Sequence, residues 1–389
     1  DKGNPVTDKL RSAVVVMDVT NPEVAPKLIA EIPLPDNTYT TSNPDIFKFR
    51  QLNSDGTAKY YWYLVIGSGV SDSTEFTSTK TPKLFVYDLV NNDWVGDGKG
   101  VEVGSSKGWI GGLNARDWDR DYNDDYVYFG TVEGTPAAPS GRLYRAKLKY
   151  DGTIESPTPI LENTSQAFAA TPFTVVDTKN NYWVFAGTGR YFSDSDNKYR
   201  SNANSYYAIK EQRVAGSSDT LVNSTISKST LVNLTGINVR ENDQLETAEA
   251  EDPITQTTRK ELVSLVNERN GWYFNFSSAN ARNYTSTILS GNSLVFNTYE
   301  PGEECTPFGE SKQYRRDFLS GLPSKFVRNS TETKLLPAFR DLGIGAASDP
   351  TPGKVPVSGT SLGAIDVEPS VNSQPSGERQ SWRELPYSQ

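Results

Sequence analysis

The strongest constraint on this chain is a strand–turn–strand unit that returns along its length. Ile46–Leu52 and Tyr60–Ile66 flank Asn53-Ser54-Asp55-Gly56, and Asp-Gly is a hairpin signal because glycine reaches the left-handed backbone region without strain. Phe173–Asp177 and Tyr182–Ala186 flank Lys179-Asn180, and Thr287–Leu289 and Leu294–Thr298 flank Ser290-Gly291-Asn292. The second strands end alike, in Val65-Ile66-Gly67-Ser68-Gly69, Tyr128-Phe129-Gly130-Thr131 and Phe185-Ala186-Gly187-Thr188-Gly189, with Val295-Phe296-Asn297-Thr298 a looser fourth. The Gly-Ser/Thr step falls at 67, 130 and 187, a period of about 60 residues.

A second kind of strand follows each ending: Lys83–Leu89, Gly141–Leu148, Ser205–Ile209 and Gln313–Phe318, with Ser12–Val19 and Ser361–Val367 of the same type near the two ends. Two hairpins make four strands, which is one propeller blade. The composition agrees: 20 Tyr, 16 Phe and 7 Trp favour strands, and 30 Gly and 23 Pro supply turns. The reading is an all-β chain, a single β-propeller over 1–389 of about six or seven blades with loop insertions. A pair of β-sandwiches is the alternative, since hairpins abound there too. Residues 211–270 break the pattern, being Ser/Thr/Asn-rich, then acidic, then helical over Thr258–Glu268, where Leu262, Leu265 and Val266 share a face. They read as an insertion between blades. Residues 368–389 read as an extended tail.

Several function classes are excluded by counting. There is no histidine, so no Ser-His-Asp or Cys-His pair and no imidazole metal site can exist. A single cysteine, Cys305, allows no intrachain disulfide and no zinc cluster. Any metal would need oxygen ligands, which selects a hard cation such as calcium or magnesium. A net charge of −9 without a long basic run argues against nucleic acid. No apolar stretch of 18 residues offers a membrane span. Residue 1 is Asp and no signal-peptide pattern follows it, so either a signal was removed or an N-terminal region is missing.

One cluster carries chemistry: Asp117-Trp118-Asp119-Arg120-Asp121-Tyr122-Asn123-Asp124-Asp125. Carboxylates at positions 1, 3, 5 and 9 with Asn at 7 match the start of an EF-hand-type calcium loop, where position 7 gives its backbone carbonyl. A tightly wound loop brings alternate side chains to one centre, and like charges there repel unless a divalent cation neutralises them. The expected Ca²⁺ ligands are Asp117, Asp119, Asp121, Asn123 and Asp125, with Asp124 pointing outward. The loop departs from an EF-hand at position 6, where Tyr122 replaces glycine, and at position 12, where Tyr128 replaces glutamate. An acidic solvated turn is the bland alternative.

Weaker signals read as structure. Gly187-Thr188-Gly189-Arg190 opens like a dinucleotide fingerprint but lacks its third glycine and following helix, so it reads as a blade turn. Asp194-Ser195-Asp196-Asn197 reads as an exposed turn, with a second cation site as the alternative. The sequons at Asn163, Asn223, Asn233, Asn275, Asn283 and Asn329 occur at about the rate chance gives in so Asn/Ser/Thr-rich a chain, and do not establish glycosylation.

In order along nearly the whole chain, the motifs resemble the C-terminal β-propeller of the PilC/PilY type IV pilus biogenesis and tip-adhesin proteins. They are Met17-Asp18-Val19-Thr20-Asn21-Pro22; Gly112-Leu113 with the acidic loop, Tyr128-Phe129-Gly130 and Gly141–Arg145; Phe185–Tyr191 with Ser205-Tyr206-Tyr207; Gly271-Trp272-Tyr273 and Val295–Pro301 leading to Cys305; and Ser381-Trp382-Arg383-Glu384-Leu385. The resemblance implies one calcium in the nine-residue loop, linked to pilus extension and retraction. It also implies a non-enzymatic chain at the extracellular pilus tip (the fimbrium), with minor pilins as partners and an adhesive role. A quinoprotein-type propeller dehydrogenase and a carbohydrate-binding propeller are the alternatives.

Overall fold

The computed structural model describes residues 12–35, 38–72, 76–162, 164–198, 203–217, 220–302, 308–325, 333–351, 357–361 and 365–367. Cys305, Trp382, Leu385 and the tail over 368–389 lie outside the described residues. Strands dominate, and the hairpins expected from the turn signals all form.

Four sheets of four or five strands follow one another along the chain. The first runs Asp45–Leu52, Ala58–Gly67, Lys83–Asp88, Asp93–Trp94, with Val101–Glu102 also on the third strand. The second holds Gly108–Arg116, Tyr126–Gly134, Leu143–Lys147 and Thr158–Pro159, with Pro139–Ser140 beside Tyr126–Gly134. The third is Phe173–Val176, Tyr182–Gly187, Ser205–Glu211 and Gly271–Asn275, joined in parallel by Val232–Asn233. The fourth is Ile288–Ser290, Ser293–Glu300, Glu310–Asp317 and Arg340–Ile344. Among the described residues, two-stranded pieces complete the set, the first being Ala13–Asp18 with Lys27–Pro33.

The sheets stack face to face, as propeller blades do. Successive side chains on a strand point to opposite faces, and here both faces are buried. Tyr63 and Val65 share a core with Ile110, Val127 and Phe129 of the second sheet, while Leu64 and Ile66 pack on Val14 and Ile32. Tyr126 and Tyr128 meet Tyr182, Val184 and Tyr207 of the third sheet. Trp183 and Phe185 face the other way, into a core with Leu294, Phe296 and Tyr314 of the fourth. This two-sided burial is why the central strands read as unbroken apolar runs.

The Gly-Ser/Thr step has a physical origin. A Cβ on Gly67 would meet Ile110 at 2.3 Å, one on Gly130 would meet Phe168 at 2.3 Å, and one on Gly187 would meet Asn283 at 2.1 Å. Each glycine sits where a later stretch of chain presses against the strand: Ile110 of the second sheet on Gly67, Phe168 ahead of the third sheet on Gly130, and Asn283 ahead of the fourth on Gly187. The following hydroxyl residue is bonded to the start of the next strand: Ser68 Oγ accepts the Lys83 N–H at 2.8 Å, Thr131 Oγ1 that of Arg142 at 3.0 Å, and Thr188 Oγ1 that of Ser205 at 2.8 Å.

The insertion over 211–270 is placed differently from expectation. It leaves the third sheet after Ser205–Glu211 and returns as the adjacent strand Gly271–Asn275, so it interrupts a sheet instead of lying between blades. Its helix, Arg259–Glu268, starts at a capping box of Thr258 and Glu261 and buries Leu262 and Val266. Among the described residues, no helix is long and apolar enough to cross a membrane.

Candidate metal centre

The acidic run forms the turn between Gly108–Arg116 and Tyr126–Gly134. Its backbone winds through two left-handed residues, Arg120 at φ 64° and Tyr122 at φ 75°. Tyr122 thus adopts the conformation for which an EF-hand uses glycine at that position. Asp117 holds the winding: Oδ1 accepts the Arg120 N–H at 2.6 Å and Oδ2 that of Tyr122 at 3.0 Å. Asp119 Oδ1 accepts the Asp121 N–H at 3.3 Å, and Asp125 Oδ2 accepts that of Trp118 at 2.7 Å.

Three carboxylates converge. Oxygens of Asp117, Asp119 and Asp125 lie within 4.8 Å of one another. Oxygens that share one ion at 2.3–2.6 Å are at most about 5 Å apart, so this donor set fits a calcium-sized cation. Asp121 stands outside the group, because its Oδ1 accepts the Asn123 N–H and its Oδ2 the Asn123 side-chain amide, both at 2.8 Å. Asn123 Oδ1 in turn accepts the Arg50 N–H at 2.7 Å. Burial raises the Asp117 carboxyl from its ordinary value, and the Asp121 and Asp119 charges push the same way against two amide donors. A cation in this turn would relieve that cost.

Asp124 corrects the expectation that it points outward. It is half-buried, its Oδ2 accepts the Lys48 N–H at 2.7 Å, and burial pushes its carboxyl up to about 6. With Asn123 on Arg50, it docks the turn onto Asp45–Leu52, the edge strand of the preceding sheet. The Tyr122 ring lies 5.8 Å from the Lys48 ammonium and 5.5 Å from the Arg50 guanidinium.

Trp118 joins the site beyond the carboxylates, and an indole among alternating carboxylates is the sequence signal of its inward-facing position. It is buried, stacks on Tyr182 at 4.4 Å with rings 4° apart, and donates Nε1–H to the Tyr128 hydroxyl at 2.9 Å. The turn therefore grips the sheets on both sides of its own.

The other sequence candidates are structural. Asp196 lies in the short helix Asp194–Lys198, is buried and pairs with Arg190 Nε at 2.5 Å, so it is an internal ion-pair partner and not part of an exposed turn. Gly187 ends strand Tyr182–Gly187, and Gly189 bridges Phe168 in parallel where a turn was expected. Asn233 and Asn283 are buried, which removes them as glycosylation acceptors.

No family model matches this sequence, and no curated protein matches it. Among solved structures, the Pseudomonas aeruginosa PilY1 C-terminal domain matches with a TM-score of 0.61 and 17% identity, over 92% of this chain and 78% of that one. An exo-1,5-α-L-arabinanase from a bovine ruminal metagenomic library reaches a TM-score of 0.32 at 10% identity, over 83% of this chain and 94% of that one. That likeness is too loose to bear on fold or activity. The resemblance carried by the ordered motifs thus holds at the level of architecture, and this chain has the PilY1-type β-propeller fold.

Proposed function

We propose that this chain is the calcium-binding propeller of a type IV pilus-associated protein, acting outside the cell in pilus assembly, retraction control and adhesion, with minor pilins as its partners. The observation that carries the reading is the convergence of Asp117, Asp119 and Asp125 in the turn of a PilY1-type propeller. Asp117, Asp119 and Asp125 hold the cation, and Asn123 and Asp124 anchor the turn to the neighbouring sheet. Bound calcium supplies the positive charge that lets three carboxylates face one centre. The role is structural and regulatory, without catalysis.

Isothermal titration of chelator-treated protein tests the metal, with one calcium per chain as the expected result and no heat as the result against it. Co-purification with minor pilins, lost in Asp117→Asn/Asp125→Asn, tests the pilus role. A visible absorption band from a bound quinone would overturn the reading in favour of a dehydrogenase.

A further inference from the structure

Lys107 immediately precedes strand Gly108–Arg116, and Asp117 immediately follows it. At the Lys107 end, a strand's length from the acidic turn, a cleft of about 480 Å³ opens between Lys107 and the first sheet. That volume lies in the range of small-molecule sites, roughly 300–1,000 Å³.

The cleft reverses the sign of the chain around it. The whole sequence carries −9, yet the described lining holds Lys80, Lys83 and Lys107 against one carboxylate, Glu102. Their mutual pairing is loose. The Lys83 ammonium sits 3.9 Å from Glu102 and donates to the Lys99 carbonyl at 3.2 Å, and Lys107 donates to Thr81 Oγ1 at 3.3 Å. An ammonium has three N–H donors, so both keep capacity for an incoming anion.

The rest of the lining is of two kinds. Tyr39 is half-buried and gives aromatic wall, with the buried Val70 and Phe85 also on the lining, while Ser71 and Thr79 bring hydroxyls, with Ser71 Oγ accepting the Thr79 N–H at 3.0 Å. Apolar wall suits the C–H face of a pyranose, hydroxyls suit its OH groups, and clustered ammonium groups suit a carboxylate. We propose that this cleft binds a carboxylated sugar, a uronic-acid-type mono- or disaccharide unit. The site goes beyond the pilus reading and stands without it, because it needs no partner and no metal.

The test is titration of the purified chain with galacturonate and digalacturonate, with galactose and inorganic phosphate as comparators, followed by amide chemical shifts and calorimetry. Binding of the uronates in the millimolar range or tighter is expected, with shifts confined to the cleft. Lys80→Ala/Lys107→Ala should weaken it by about tenfold or more through loss of charge-assisted contacts. Lys149→Ala, outside the cleft, should leave it unchanged, and both variants should keep the wild-type melting temperature and calcium response. Equal affinity for galactose, equal affinity for phosphate, no uronate binding, or an unaffected double variant would each overturn the assignment. Unchanged calcium binding in every case separates its failure from that of the metal reading.

Discussion

Asp124 and Lys48 hold each other twice: the Asp124 carboxylate accepts the Lys48 N–H at 2.7 Å, and the Asp124 N–H donates to the Lys48 carbonyl at 3.0 Å. The acidic turn thereby adds a rung to the edge strand of the sheet before it, which leaves that stretch of edge covered. Asp124→Ala should destabilise the protein by about 1–3 kcal/mol, because the Lys48 N–H loses its acceptor in a half-buried place. Asp124→Asn keeps an acceptor and should recover most of the loss. Chemical denaturation of both variants in EGTA checks this, and an Asp124→Ala midpoint equal to wild type would refute it.

The same carboxyl gives a pH signature. Burial sets it at about 6 in the folded chain, against an ordinary 3.8. Between those values the folded state holds a proton that the unfolded state releases. Its stabilising contribution is full below pH 3.8 and is lost as the pH rises through about 6. Asp18, Asp55, Asp151 and Asp177 have lowered values and act in the opposite sense. Comparison with Asp124→Asn isolates the group: without metal, wild type should lose melting temperature relative to the variant between about pH 4 and pH 7. Parallel curves would be the contrary result.

Calcium at a hundredfold excess over Kd should add on the order of 2.7 kcal/mol to stability. Asp117→Asn and Asp125→Asn should lose that gain, as each takes an oxygen from the converging group. Asp121→Ala should keep part of it, since both Asp121 oxygens are occupied by Asn123. Thermal melts with calcium and with EGTA decide between this ranking and a ligand set that includes Asp121.

Tyr122 combines a left-handed backbone with a ring beside two cations. Tyr122→Gly and Tyr122→Ala both remove the ring, but only alanine keeps the strain. The glycine variant should be the more stable of the two by about 1 kcal/mol. If alanine were equal or better in matched denaturation curves, the backbone would not be strained there in solution.

The hairpins were legible because their signals are local: Asp55-Gly56 closes one, and two-sided burial writes apolar runs into Ala58–Gly67 and Tyr182–Gly187. The acidic run was legible for the same reason, since its alternation lies within nine residues. The role of Asp124 was hidden because its partner is 76 residues away. The pairing of Ser205–Glu211 with Gly271–Asn275 was hidden because no turn joins them and the detour over 212–270 carries its own patterns. Trp118 could be read as inward-facing, but nothing local names Tyr182 as the ring it meets.

The acidic turn reaches back 76 residues to Lys48 and forward to Tyr182, and this orders events in time. Contacts of such separation form late in folding, after the hairpins they join. An ion held by that turn should therefore leave the rate of folding nearly unchanged and act on the rate of opening. Calcium would then serve as a kinetic latch, so that a chain stripped of its ion would stay folded until its sheets next parted.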